Sequence, residues 1–218
     1  MAQPTMINFD AVRKTAVNST PFPYLLTEHF LNKTKLESLQ RDFPQITFPG
    51  SVPLDQAIFG PAFADLIEEL EGPELRSVIS EKFDINLDGR PTFITLRGMV
   101  RQRDGQIHTD TKSKLITLLL YFNSRWDSEG GRLRVLKNGQ NLDDYVVELP
   151  PLLGTCLIFR VTDNCWHGHK PFEGERKAIQ LNYLTDQIAL RQHQSKHSFS
   201  AKLKTLQQKL LGRNRYSE

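Results

Sequence analysis

Hydrophobic residues recur at helical spacing in the first part of the chain. Leu36, Leu39 and Phe43 follow this spacing, and Pro44 ends the pattern. Because proline is favoured at the first position of a helix, the segments PAFADLIEELEG and PELRSVISEKF predict two further helices. The segment PFPYLLTEHFL, which precedes all three, predicts a short strand. Residues 1–90 are therefore expected to form a mainly helical support.

The pattern changes at residue 91 and stays changed to residue 185. Short β-rich runs are separated there by Gly, Asp and Asn, and no helix-length segment lies between them. This spacing predicts an antiparallel sandwich or barrel, and a jelly-roll is the expected form. The runs are PTFITLRGMV, QIHTD, KLITLLLYFN, GRLRVL, YVVELPP, GTCLIFRV, WHGHKP and KAIQLNYL.

The end of the chain again shows helical periodicity. The segment SFSAKLKTLQQKLLG places Phe199, Leu203, Leu206 and Leu210 on one face, with serine before it and glycine after it. We expect this helix to pack on the core or on a partner subunit, which leaves a homodimer open. The predicted organisation is one domain over 1–218: helical support in 1–90, a β core in 91–185 and a C-terminal helix in 186–218.

Composition narrows the classes of protein that remain. Of the 218 residues 39% are hydrophobic and 24% charged, which is ordinary for a globular protein. A net charge of +3 without a dense basic stripe disfavours a nucleic-acid partner. The longest apolar run, 115–122, is far shorter than the roughly 20 residues of a spanning helix, and the N-terminus lacks a secretory pattern. We therefore expect a cytoplasmic protein without a membrane partner, in which Cys156 and Cys165 stay reduced.

The segment QIHTD carries the first chemical signal. On a strand, His108 and Asp110 leave the same face, so an imidazole nitrogen and a carboxylate oxygen converge on one point. One further histidine would complete the two-His, one-carboxylate triad that holds non-haem Fe(II) and leaves three coordination positions open. An isolated H-x-D pair is a weak signal, and chance explains most of them.

The downstream sequence strengthens that signal. His167 lies in WHGH, and Arg176 follows nine residues later, where a guanidinium is suited to a bidentate clamp on a carboxylate. At this point the sequence resembles the 2-oxoglutarate and Fe(II)-dependent dioxygenases, particularly their prolyl-hydroxylase-like branch. The matching features occur in order over residues 91–185: H-x-D, the strand LLLYFN, the diglycine turn in EGGRLRV, WHGH and the arginine.

The resemblance implies a fold, a site and an activity. The fold is a double-stranded β-helix of the jelly-roll or cupin-like type, mainly β with flanking helices. His108, Asp110 and His167 would bind Fe(II), Arg176 would grip the distal carboxylate of 2-oxoglutarate, and the Tyr121 hydroxyl would hydrogen-bond to the same carboxylate. Dioxygen would be the oxidant, succinate and CO2 would be released, and ascorbate is a further candidate cofactor.

Several assignments have competitors. His169 leaves the same strand face as His167 and is the rival third ligand, although the family's Trp-His-Gly pattern favours His167. Tyr121 could be only a core aromatic, and Arg176 a solvated turn residue. Trp166 could wall the site or pack in the core, and His29, His193 and His197 are expected on the surface.

Three arginines precede the H-x-D pair, where many peptidyl hydroxylases place an aromatic residue. Arg97, Arg101 and Arg103 would alternate on one strand face, either attracting an acidic or phosphate-bearing substrate or forming a solvated edge. This departure puts a prolyl-peptide substrate in doubt.

The sequence therefore predicts a dioxygenase that hydroxylates an amino acid, a peptidyl residue or a small metabolite. The presence of Asp110 favours hydroxylation, because by resemblance the halogenating relatives lack this carboxylate. The rival from another class is a non-enzymatic jelly-roll binding module, for example for glycans, with a structural metal. A cupin-type metal-dependent isomerase is a more distant alternative.

Overall fold

The computed structural model describes residues 5–196. Four α-helices lie within residues 9–83, and the three helices predicted in this region are present. The helices are α1 Phe9–Lys14, α2 Leu36–Asp42, α3 Pro61–Glu71 and α4 Pro73–Phe83, with 3-10 turns at Lys33–Lys35 and Leu54–Gln56. Pro61 and Pro73 open α3 and α4 as the sequence predicts, whereas the sequence did not predict α1. Residues 187–196 are helical, and the predicted apolar face from Phe199 to Leu210 lies outside the described residues.

Nine strands lie within the described residues. They are β1 Tyr24–Thr27, β2 Val52–Pro53, β3 Thr92–Val100, β4 Lys114–Tyr121, β5 Leu133–Leu136, β6 Tyr145–Leu149, β7 Cys156–Arg160, β8 His167–His169 and β9 Gly174–Leu184. Each predicted β-rich run holds a strand except QIHTD, which makes only an isolated antiparallel bridge from His108 to His167.

The strands form two antiparallel sheets. The larger sheet has the order β1-β7-β4-β9-β3-β2 and the smaller one β6-β5-β8. The segment around His108 runs beside β8, since His108 and His167 each donate a backbone N–H to the other's carbonyl oxygen over 3.0 Å. These antiparallel sheets confirm the predicted mainly β fold with flanking helices.

The larger sheet is covered on both faces, which explains the apolar run 115–122. Ile116, Leu118 and Leu120 face one side and belong to the core shared with the helices. Thr117, Leu119 and Tyr121 face the other side, toward the smaller sheet. A strand buried on both faces reads as a continuous apolar run rather than an alternating one. The polar Thr117 in that run points toward the candidate site.

The structure also bears on the two cysteines and on membrane-spanning helices. Cys156 and Cys165 are both buried free thiols, as expected. Every helix within residues 5–196 is too short or too polar to cross a membrane.

Candidate active site

A cavity of about 100 Å³ lies over the inner face of the larger sheet, between it and the smaller sheet. Strands β4 and β9 supply its floor, and β8 together with the segment that holds Gly105 and His108 supplies its roof. All the predicted site residues except Asp110 line it, together with residues that had no predicted role. The lining residues are Arg97, Gly105, His108, Thr117, Leu119, Tyr121, Leu133, His167, Gly168, His169, Arg176, Ala178 and Gln180.

Three side chains meet at one end of this cavity, and we call them the triad end: His108, Asp110 and His167. One ligand atom from each lies within 4.8 Å of the others, a spacing that could hold a metal ion. His108 is exposed, Asp110 is partly buried and His167 is buried. Within residues 5–196, His169 does not belong to this group.

The tautomers of the two histidines suit metal binding. The Nδ1 of His108 lies 2.8 Å from the Gln106 carbonyl oxygen, and the Nδ1 of His167 lies 2.8 Å from the Cys165 carbonyl oxygen. A carbonyl oxygen only accepts, so each Nδ1 carries the proton and each Nε2 offers a lone pair. Burial, aided by the charge of His108, lowers the pKa of His167 to about 4, which keeps its ring neutral at physiological pH.

Asp110 is fixed by two donors that the sequence did not predict. The Lys114 ammonium donates to Oδ1 over 2.8 Å, and the Thr117 hydroxyl donates to Oδ2. Thr117 in turn accepts a hydrogen bond of 2.8 Å from the Asn182 side chain. Burial acts to raise the pKa of Asp110, but the charges of Lys114 and His167 and the two hydrogen bonds outweigh it, so the pKa lies below its usual value. Asp110 is therefore an oriented anion.

The other end of the cavity, which we call the arginine end, consists of Tyr121, Gly131 and Arg176. The Arg176 Nε donates to the Gly131 carbonyl oxygen over 2.7 Å, and Nη2 donates to the Tyr121 hydroxyl over 3.2 Å. Arg176 is buried, which excludes the alternative of a solvated turn residue. Its remaining N–H groups are free to bind a carboxylate, because those two bonds use only part of its five donors.

Gly131 has a role that the sequence did not predict. It adopts a φ of +74°, and a Cβ at this position would lie 2.6 Å from the Trp126 ring. Glycine is therefore required by both its backbone conformation and the space around it. This turn presents the carbonyl oxygen that orients Arg176.

The two ends lie along one face of β4. Thr117, which holds Asp110, and Tyr121, which holds Arg176, are four residues apart on this strand. At the usual strand rise their backbones are separated by about 13 Å. A small ligand with a metal-binding group at one end and a carboxylate at the other can contact both ends, since His108, His167 and Arg176 line the same cavity.

Two of the other predicted residues lie in different places. His169 lines the cavity beside Gly105, and burial together with the Arg176 charge lowers its pKa to about 4. Trp166 is absent from the cavity lining and packs over Gly139, where a Cβ would lie 2.9 Å from its ring.

The expectation that Arg97, Arg101 and Arg103 alternate on one strand face is wrong. β3 ends at Val100, and its pairing with β9 is irregular between Arg97 and Met99. The three side chains therefore separate: Arg97 lines the cavity, Arg101 lies beside Asp104 and Arg103 is exposed. Arg97 does not lie at a solvated edge either, since β3 is flanked by β9 and β2.

The residues that carry this site match a known family. Residues 97–184 match the family model of the 2OG-Fe(II) oxygenase superfamily, which confirms the resemblance drawn from the motifs. A search of curated proteins finds no match.

Solved structures with a similar fold come from the same group of proteins. A prolyl-4-hydroxylase from Pseudomonas putida is 17% identical, with a TM-score of 0.52 over 81% of this chain and 96% of that one. An oxidoreductase of the 2OG-Fe(II) oxygenase family from Burkholderia pseudomallei is 12% identical, with a TM-score of 0.51 over 74% and 84%. A prolyl hydroxylase from Trichoplax adhaerens, solved with a hypoxia inducible factor peptide fragment, is 18% identical, with a TM-score of 0.50 over 74% and 83%. At these identities the likeness concerns the fold.

Proposed function

We propose that this protein is a 2-oxoglutarate-dependent Fe(II) dioxygenase that hydroxylates an acceptor C–H bond at the triad end. The match of residues 97–184 to the family model of the 2OG-Fe(II) oxygenase superfamily supports this proposal. One oxygen atom of O2 would enter the acceptor as a hydroxyl group. The other would enter succinate, which is released with CO2. The observation that carries the proposal is that one cavity is lined by both a His-Asp-His group and a buried, oriented arginine.

The triad end fits Fe(II). Two neutral imidazoles and one carboxylate form the donor set of non-haem iron oxygenases, and three such ligands leave coordination positions open. We assign the Nε2 atoms of His108 and His167 and one carboxylate oxygen of Asp110 as the ligands. When bound, the iron supplies the redox chemistry that couples decarboxylation of 2-oxoglutarate to oxidation of the acceptor.

The surrounding groups would keep these ligands in place. The Cys165 and Gln106 carbonyl oxygens fix the ring orientations of His167 and His108. Lys114 and Thr117 hold the carboxylate of Asp110. Partners of this kind orient a metal ligand and set its basicity, and their loss commonly costs 10–100-fold in metal affinity or activity.

The arginine end fits the distal carboxylate of 2-oxoglutarate. Arg176 is held by Gly131 before any ligand binds, so little side-chain entropy remains to be lost on binding. The Tyr121 hydroxyl accepts a hydrogen bond from Arg176 and can donate its own O–H to the carboxylate. The cavity would thus hold the co-substrate with its keto acid group at the triad end.

An anaerobic titration tests this proposal. Iron-free protein is given one equivalent of Fe(II) and then increasing 2-oxoglutarate, while the visible spectrum is recorded. We expect a weak charge-transfer band that grows as 2-oxoglutarate is added and then saturates. Succinate should form when air is admitted. A protein that binds iron without this band and makes no succinate would contradict the proposal and favour the non-enzymatic binding module.

A further inference from the structure

The cavity holds a second guanidinium. Arg97 on β3 lines it together with Arg176, and within residues 5–196 its side chain makes no hydrogen bond or ion pair. Arg176, by contrast, donates to both Gly131 and Tyr121. Arg97 is partly buried, and a charged group that is partly removed from water is costly to leave unpaired, so a second function of the cavity is indicated here.

The charges around Arg97 leave it unmatched. Burial and the neighbouring Arg176 charge lower its pKa, while Asp104 acts in the opposite direction. Asp104, however, is already bound by Arg101, which donates its backbone N–H over 2.9 Å and places its guanidinium 3.5 Å away. One carboxylate therefore faces two arginines, and a net positive charge remains beside the cavity.

2-Oxoglutarate would not remove that charge. It is a dianion, and in the function proposed above one carboxylate lies on the metal and the other on Arg176. Arg97 would then still lack an anionic partner with the co-substrate in place. An anionic partner for Arg97 would therefore have to belong to the acceptor.

The register of the sheet relates Arg97 to the arginine end. Ala178 on β9 lies between Tyr121 on β4 and Arg97 on β3, and it pairs with both. Tyr121, which accepts a hydrogen bond from Arg176, therefore lies on one side of Ala178 and Arg97 lies on the other. The small side chain of Ala178 lines the cavity between them.

We propose that Arg97 binds a carboxylate of the acceptor, so that the acceptor is a small organic acid such as a free amino acid. This inference rests on the function proposed above and names the substrate class of the same site. A planar guanidinium matches a carboxylate through two parallel hydrogen bonds. The small cavity favours a free acid over a large polymer.

His169 offers a partner for the rest of such an acceptor. Its Nδ1 lies 2.8 Å from the Lys170 carbonyl oxygen and therefore carries the proton, which leaves Nε2 as an acceptor. An amino or hydroxyl group of the acceptor would donate to this nitrogen. Gly105 packs against the same ring, and a Cβ there would lie 2.2 Å from it. The ring is thereby held at the cavity wall.

The first experiment measures which compounds accelerate 2-oxoglutarate consumption. The probes are the common L-amino acids and short-chain hydroxy acids, each paired with its carboxamide, added to the iron-loaded wild-type protein with 2-oxoglutarate in air. We expect stimulation by one or more acids and by none of the matching amides. Stimulation by amides as well as acids, or by no acid at all while 2-oxoglutarate binds normally, would overturn the inference.

The second experiment uses Arg97→Gln with Arg103→Gln as its matched control, since Arg103 is exposed and outside the cavity. We expect Arg97→Gln to lower kcat/KM for the stimulating acid by roughly 30-fold or more, because losing one partner of a shielded charge pair usually has an effect of this size. The dissociation constant of 2-oxoglutarate, measured by the anaerobic band, should stay within about twofold. Arg97→Lys should recover part of the loss.

The readouts separate this inference from the proposed function. If 2-oxoglutarate fails to bind the wild-type protein, the proposed function is wrong. If it binds the wild-type protein but binds Arg97→Gln much more weakly, Arg97 is a second co-substrate clamp and the inference is wrong. A lowered unfolding temperature in Arg97→Gln would point to a structural role instead, whereas removal of an unpaired, partly buried charge should leave that temperature unchanged or raise it.

Discussion

The two ends of the cavity are built in different ways. The triad end takes His108 and Asp110 from a segment outside the strands, joined to β8 by one isolated bridge, and His108 is exposed. The arginine end takes Tyr121 and Arg176 from the two central strands of the larger sheet, and both side chains are buried. The triad end therefore depends on local hydrogen bonds to place its ligands, while the arginine end is placed by the sheet itself.

This difference has a functional consequence. An end that leaves one ligand exposed can admit an acceptor and dioxygen. An end buried in the sheet can only receive the far part of a ligand that enters from the other side. We therefore expect changes at the triad end to remove metal binding and turnover, and changes at the arginine end to weaken the co-substrate while the metal stays.

The largest effect is expected for Asp110→Ala. It removes the anionic ligand of the proposed site and leaves two imidazoles, so iron content and succinate production should fall by more than about 100-fold, beyond the usual loss for a residue that only supports a ligand. Metal analysis and a succinate assay measure both. Asp163→Ala is the control, because Asp163 forms an exposed ion pair with Lys112. Turnover at the wild-type rate without Asp110 would refute the mechanism.

The next effect is expected at the other end. Arg176→Ala should raise the dissociation constant of 2-oxoglutarate by roughly 30-fold or more, since a buried charge-assisted pair is lost. Arg176→Lys should show a smaller rise, because it keeps the charge and loses the two-pronged geometry. Iron should remain bound in both variants. Lys177→Ala serves as the control. Unchanged co-substrate affinity in Arg176→Ala would show that the arginine end does not bind 2-oxoglutarate.

A smaller effect at the triad end is expected from Thr117→Val. This change removes the hydroxyl that donates to Asp110 and keeps the shape of the side chain, so iron affinity should fall by about 10-fold. Thr117→Ser retains the hydroxyl and should restore most of the affinity. A competition assay with a metal-binding dye measures both. Equal losses in the valine and serine variants would show that packing, and not the hydrogen bond, matters here.

The smallest effect is expected from Tyr121→Phe. The hydrogen bond to a carboxylate that Arg176 still holds is lost, and we expect this loss to correspond to about 1 kcal/mol, or roughly fivefold in 2-oxoglutarate affinity. The anaerobic band provides the measurement, and iron content should not change. A loss as large as that of Arg176→Ala would mean that Tyr121 carries more of the binding than the geometry indicates.

The sequence predicted most of the β fold because its strands differ clearly in pattern from the helices. Pro61 and Pro73 marked the starts of two helices, and Gly and Asp clusters marked the turns between strands. α1 was missed because its six residues are too few to display a helical period. β2 was missed because it has only two residues.

The site residues that belong to a sequence motif could be predicted, whereas those that the fold brings to the site could not. His108, Asp110, His167 and Arg176 stand in an ordered set of motifs. Lys114 reaches Asp110 through the path of the intervening segment, which no local pattern reveals. Thr117 and Arg97 left a weaker signal, since each is a polar residue within an otherwise apolar strand.

The choice between His167 and His169 provides the most direct test of the account. Both side chains are buried and line the same cavity, but only His167 approaches His108 and Asp110 closely enough to share a metal ion with them. Iron stoichiometry is measured in His167→Ala and His169→Ala, loaded side by side under anaerobic conditions. We expect His167→Ala to lose its iron while His169→Ala retains one iron per chain. An iron-replete His167→Ala would contradict the assignment of His167 as the third ligand.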